Sequence, residues 1–214
     1  MPVKPDMRFR RLRDKGSRDF ALACDIIDAS RVCHVGFNLN EQTYVVPMAL
    51  ARDEKQVLLH GSVASRLMKS LSGGLPCCVT VTLFDGLVLA RSAFNSSMHY
   101  RCVMIFGQAI LIEDADEKSR GMDIMTDHLM PGRLKELRPS TRKELNATTL
   151  LSIPLKTFTV KVSDGPADDP SKDLDEPVWA GVLPLKTTAG KPQSDPEMSK
   201  KIPLPKYLKK WTFD

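Results

Sequence analysis

VLLHGSVASRLMKSLSGG, residues 57–74, carries a short apolar strand through a small-residue turn into a short basic helix. Val57, Leu58 and Leu59 suit a buried strand, Gly61 permits a turn or a close approach, and Ser62 and Ser65 stand where a helix begins. The first N–H groups of a helix lack intrahelical partners and attract anions, while hydroxyls and cations add donors. Arg66 and Lys69, three apart, share one helical face; Leu67 and Leu71, four apart, share another and pack inward. Gly73 and Gly74 end the helix. The stretch reads equally well as a phosphate cradle or as an ordinary capped helix with a solvated basic face.

Working outward, residues 17–29 place Phe20, Ala23, Cys24 and Ile27 at helical spacing, with Ser17 as cap. Residues 31–38 and 43–51 read as two strands around the turn NLNEQ. Pro47 removes a ladder donor from the second, which puts that strand at an edge or a bulge. Beyond the cradle, residues 76–83 and 86–92 are β-rich runs about Asp85-Gly86, a hairpin signal. Residues 100–112 form a long strand with a bulge or bend expected at Gly107.

A helix over 114–130 has Met122, Met125 and Leu129 as its apolar stripe and stops at Pro131-Gly132. A short helix at 140–146 is capped by Ser140 or Thr141 with Glu144 as box partner. Residues 150–162 close the sheet as one kinked strand, 163–177 form an acidic, Pro-rich loop, and 176–185 return to the body. From Gly190 the chain is Lys/Pro-rich and is expected to be mobile. The reading is a basic arm over 1–16, one domain over 17–185 and a tail over 186–214. Its class is mainly β with flanking helices, an antiparallel barrel.

A chain of 214 residues, 42% hydrophobic, can bury a substantial core. Its net charge of +5 sits at the ends: residues 1–18 hold seven Lys/Arg against two Asp, and residues 184–214 hold seven Lys against three acids. The body between is mildly acidic, which argues against a nucleic-acid groove. No apolar run is long enough for a membrane span and no secretory leader opens the chain, so a soluble, cytoplasmic protein is expected. Five cysteines without a CxxC fit reduced thiols.

No metal site is expected, because His34, His60, His99 and His128 share no ligand spacing. The signatures GxGxxG, GxxxxGK[ST] and GxSxG are absent. His60 ends a strand at the mouth of the cradle, where it serves either as a half-buried imidazole satisfied by a carbonyl or as a proton donor. Arg101 opens a strand and offers a bidentate guanidinium to the same phosphate as Arg66, or is a surface arginine at a strand end. Trp179 reads as a core plug.

VCHVGF at 32–37, YVVPM at 44–48, LLHGSVASR at 58–66, VTVTLFDGLVLARSAF at 79–94, YRCVMIFGQA at 100–109, HLMPGR at 128–133 and VWAGVLPL at 178–185 occur in order. Together they resemble the flavin-nucleotide-binding branch of the pyridoxamine 5'-phosphate oxidase-related proteins. The resemblance implies a six-stranded split barrel that binds FMN at a homodimer interface. It implies that Val46, Pro47, Met48 and Ala49 run along the flavin ring, with His60, Gly61 and Ser62 near it. Ser65, Arg66, Lys69, Tyr100 and Arg101 reach towards the phosphate, and Cys102, Val103 and Trp179 complete the cofactor site. The chain has His99 and Cys102 where relatives carry Asn and Ser in an Asn-Tyr-Arg-Ser run, and it lacks their C-terminal Arg-x-His segment. Vitamin B6 synthesis is therefore not expected. The implied function is an FMN-dependent oxidoreductase acting on a small substrate or on NAD(P)H, with His60 as proton donor; the alternative is a non-catalytic flavin- or haem-binding carrier.

Overall fold

The structure is a computed structural model that describes residues 15–199 and 202–211, so most of the basic N-terminal arm lies outside the described residues. In chain order its strands are β1 (Gly16–Ser17), β2 (Val32–Leu39), β3 (Gln42–Ala49), β4 (Ala51–Asp53), β5 (Gln56–Ser62) and β6 (Pro76–Leu89). They continue as β7 (Ser97–Gln108), β8 (Ile110–Leu111), β9 (Thr148–Pro154), β10 (Phe158–Ser163) and β11 (Gly181–Pro184). The helices are α1 (Phe20–Ala29), α2 (Arg66–Ser72), α3 (Ala115–Leu129) and α4 (Arg142–Ala147).

The larger sheet runs β1-β10-β7-β6-β2-β3, with β11 added beside β6, and the smaller runs β4-β5-β9-β8. Every pairing between these strands is antiparallel. This is the expected class, a mostly antiparallel split barrel with few helices, although the described residues contain more strands than six.

Alternation explains how one chain closes two sheets around a core. Val35, Phe37, Val79, Val81, Val103, Ile105 and Val160 turn inward from the large sheet, and all are buried. Helix α1 contributes Ala23, Ile26 and Ile27 to that core, and α2 contributes Leu67, Met68 and Leu71. A second cluster of Ala51, Leu58, Met125 and Leu150 lies beneath α3. Gly121 lets α3 come close, since a Cβ there would lie 2.5 Å from Leu150 Cδ2.

Consecutive residues therefore serve different clusters. Leu50 belongs to the barrel core and Ala51 to the cluster under α3, and the same split separates Leu151 from Leu150. Strands β5 and β9 are buried on both faces and read as continuous apolar runs rather than alternating ones.

This two-sided burial accounts for several departures from the sequence reading. The run 43–51 changes sheet at Leu50, and the run 100–112 changes sheet at Ala109. The single closing strand expected over 150–162 is two strands in different sheets, divided after Pro154. Asp85-Gly86 is not a hairpin turn: β6 runs through it, with a register shift between Phe84 and Gly86 opposite β7. Gly107, expected at a bulge or bend, pairs regularly with Cys77. Helix α1 is capped by Asp19, whose carboxylate accepts from Ala21 N at 2.8 Å and Leu22 N at 3.2 Å. Ser17, the expected cap, pairs with Val160 in β1 instead.

Other expectations hold. Pro47 lies in the edge strand β3, and α4 carries the Thr141–Glu144 capping box. The tail is not free of the body: the Tyr207 hydroxyl donates to Glu136 Oε2 at 3.0 Å. Among the described residues, no helix is long and apolar enough to cross a membrane.

Candidate functional site

The strand, turn and helix expected at 57–74 are present as β5, a turn over 63–65 and α2. Ser65 is the N-cap of α2 and accepts from Met68 N at 3.5 Å, and its own N–H donates to the Ser62 carbonyl at 2.9 Å. The Ser62 hydroxyl accepts from Ala64 N at 3.2 Å. Ser62, Arg66 and Lys69 are exposed, while Leu67, Met68 and Leu71 face the core, as the spacing required. The space beside Gly61 belongs to Met68: an added Cβ would lie 2.8 Å from Met68 Cγ, so the close approach there is internal packing.

Arg66 rests on an aromatic shelf that the sequence reading missed. Its guanidinium carbon lies 4.7 Å from the Tyr44 ring centre, and Tyr44 stacks on Phe37 with centroids 5.3 Å apart. That contact orients the cation without neutralising it. Among the described residues no carboxylate pairs with Arg66, in contrast to six other arginines that do hold one.

His60 follows Leu58 by two and so shares its face of β5, the face of the cluster under α3 against which Ala49 packs. Its Nδ1 is buried without a hydrogen-bond partner. Burial lowers its pKa, so the imidazole is neutral at neutral pH. His99 and His128 instead meet the carbonyls of Gly165 at 2.7 Å and Ser30 at 2.6 Å. Among the described residues the His60 Nδ1 thus has no partner, unlike the carbonyl-bonded rings of His99 and His128.

The strand assigned to the ring divides by face. Pro47 is exposed, whereas Val46 and Met48 pack against the barrel core and do not share its side.

The remaining residues lie elsewhere in the same chain. Tyr44 pairs with Phe37, Phe37 with Cys77, and Cys77 with Gly107, six positions along β7 from Arg101. At about 3.3 Å per residue, roughly 20 Å of strand separates Arg101 from the Arg66 shelf. The fold of one chain therefore does not bring the two guanidiniums onto one phosphate. Arg101 is held instead by Asp85, with Nε and Nη2 donating at 2.9 and 2.7 Å across the β6 irregularity.

Tyr100 carries Lys161 over its ring at 5.6 Å, and Cys102 accepts from Thr82 Oγ1 at 3.6 Å. Val103 is fully buried in the barrel core, which removes its side chain from any cofactor site. Trp179, read as a core plug, is 69% exposed and covers Gly181.

The thiols are not poised for chemistry. Burial pushes Cys33 up to about 12 and Cys77 up to about 11, and all five cysteines are free.

A profile of the pyridoxamine 5'-phosphate oxidase family matches residues 21–162, two thirds of the chain, and the chain belongs to that family. Two solved structures resemble the whole molecule. One is a FAD and heme binding protein from Mycobacterium smegmatis, 36% identical over 92% of this chain and 97% of that one, with a TM-score of 0.89. The other is a flavocytochrome from Azotobacter vinelandii, 36% identical over 95% of this chain and 94% of that one, also with a TM-score of 0.89. No curated protein sequence matches the chain.

Proposed function

We propose that the protein binds a flavin nucleotide and moves electrons through it as a homodimer. The observation that carries this reading is the 36% identity, over more than nine tenths of both chains, to a FAD and heme binding protein and to a flavocytochrome. In this chain, Arg66 without a carboxylate partner among the described residues, Lys69 on the same helical face and the hydroxyl of Ser65 support a phosphate at the start of α2. Pro47, Ala49 and His60 offer the flatter, less polar surface for the ring. The flavin, when bound, supplies the electron chemistry. The neutral imidazole of His60 supports a role as proton acceptor beside it rather than the expected donor.

The broad resemblance implies FMN, while the relative from Mycobacterium smegmatis, a FAD and heme binding protein, favours FAD. A reduced nicotinamide nucleotide is the proposed donor, and a small molecule the proposed substrate. The five unpaired cysteines support a reducing compartment, the cytoplasm. The dimer is supported by apolar side chains left bare on the large sheet, among them Val45 and Met104.

The absorbance spectrum of the purified protein, followed by chromatography of acid-released cofactor, tests the reading. Flavin bands that bleach under anaerobic NAD(P)H are expected, with released FAD or FMN naming the nucleotide. A chain that stays colourless after incubation with both flavins would overturn it.

A second reading adds heme, favoured by the unpartnered Nδ1 of His60. A Soret band that His60→Ala abolishes would support it, and an unchanged band would remove His60 as ligand.

A further inference from the structure

A cleft of about 660 Å³ lies at the opposite end of the barrel from the cradle, where Arg31 below α1 meets the β6 irregularity and the segment after β11. That volume falls in the usual range for organic ligands, ~300–1,000 Å³. Arg31, Arg101 and Lys186 line it against a single carboxylate, Asp85. Arg101 already holds Asp85 through two donors, so Arg31 and Lys186 remain as excess positive charge.

Arg31 is braced for an anion. Its Nη1 donates to the carbonyls of Asp28 at 2.9 Å and Ser30 at 3.4 Å, which fixes the guanidinium. Its Nε is buried and has no hydrogen-bond partner. A buried cationic donor left unpaired is costly, and an anionic oxygen relieves it. Thr187 and Thr188 add hydroxyls to the lining, and Phe84 and Trp211 add aromatic walls. A bare inorganic anion would leave those walls unused, and a neutral ring would leave Arg31 unsatisfied.

We propose that this cleft is a second site, separate from the Arg66 cradle, that binds a phosphorylated nucleotide. The phosphate meets Arg31 and Lys186, and the flat base lies against the aromatic wall. Because the two phosphates of a flavin dinucleotide share one oxygen, a flavin held at the Arg66 cradle cannot also fill this cleft, and the occupant is a free nucleotide.

Isothermal titration calorimetry with ADP, on the full chain as purified and again after reconstitution with FMN, tests the site. Saturable binding in both preparations is expected; binding only to the FMN form would make the cleft part of the flavin site and overturn its separateness. Arg31→Ala is expected to weaken ADP at least tenfold. Lys186→Ala, at an exposed side chain outside any strand or helix, is expected to weaken it severalfold and keeps the test valid if the first variant misfolds. Arg66→Ala leaves ADP binding in place, so loss of the flavin reading and loss of this one are told apart. No saturable heat in either preparation overturns the proposal, as does adenosine binding as tightly as ADP, or unchanged affinity in Arg31→Ala and Lys186→Ala.

Discussion

Arg66 and Arg101 are the same residue type in opposite circumstances. At the cradle end, Arg66 lies over Tyr44 with no carboxylate partner among the described residues; at the other end, Arg101 is tied to Asp85 by two hydrogen bonds. A guanidinium oriented by an aromatic ring keeps its donors for a ligand, whereas one clamped by a carboxylate has already used two of them in holding the fold. Glycines mark the same difference. Gly61 faces the flexible side chain of Met68, while a Cβ on Gly86 would lie 2.8 Å from the Leu183 carbonyl oxygen and 3.3 Å from Pro184 Cα, both backbone atoms.

The sharpest way to break this contrast is to empty the cradle. Arg66→Ala with Lys69→Ala should raise the flavin dissociation constant by about 100-fold, since a charged contact is typically worth ~1.5–3 kcal/mol; fluorescence of released flavin after dilution measures it. Next comes Gly86→Ala, which must lift β11 away from β6 and should cost about 1–3 kcal/mol in urea unfolding. Unchanged stability there would show that β11 is not held close. Arg101→Ala should cost only about 0.5–1 kcal/mol, because the pair with Asp85 is more than a third exposed. That corresponds to a melting point lower by about 1–4 °C. Gly61→Ala should be milder than Gly86→Ala, since its added Cβ meets side-chain atoms of Met68 rather than backbone, and the two melting curves side by side rank the ends.

Acid sharpens the comparison further, because each end carries a half-buried imidazole. Burial is the leading cause that lowers His60 at the cradle end and His128 beneath Ser30 at the other. With folded pKa values below the ordinary 6.5, the unfolded chain binds more protons than the native one. Their contribution to stability is therefore complete above pH 6.5 and lost as pH falls through the folded values. Urea midpoints between pH 5 and 7.5 should fall on the acid side, and His128→Gln should flatten part of that slope.

The cradle was legible because its parts are contiguous: strand, Gly-Ser turn, capped helix and both cations lie within 18 residues. The helices over 114–130 and 140–146 were legible for the same reason, since caps and apolar stripes are local. What could not be read is what two-sided burial hides. Leu50 with Ala51, and Leu150 with Leu151, look like uninterrupted strand, although each pair divides between two cores. The role of Asp85 was hidden too: it stands 16 positions from Arg101, and a strand irregularity, rather than a turn, brings them together. Tyr44 was quoted only as part of a strand, because nothing local says that Arg66 will come to rest on it.

The most direct test of the central claim is the flavin content of Arg66→Ala and Arg101→Ala, purified in parallel with the parent chain and released by acid. The account predicts less than a tenth of the parent's flavin in Arg66→Ala and most of it in Arg101→Ala. Full flavin in Arg66→Ala, or the reverse order between the two variants, would contradict it.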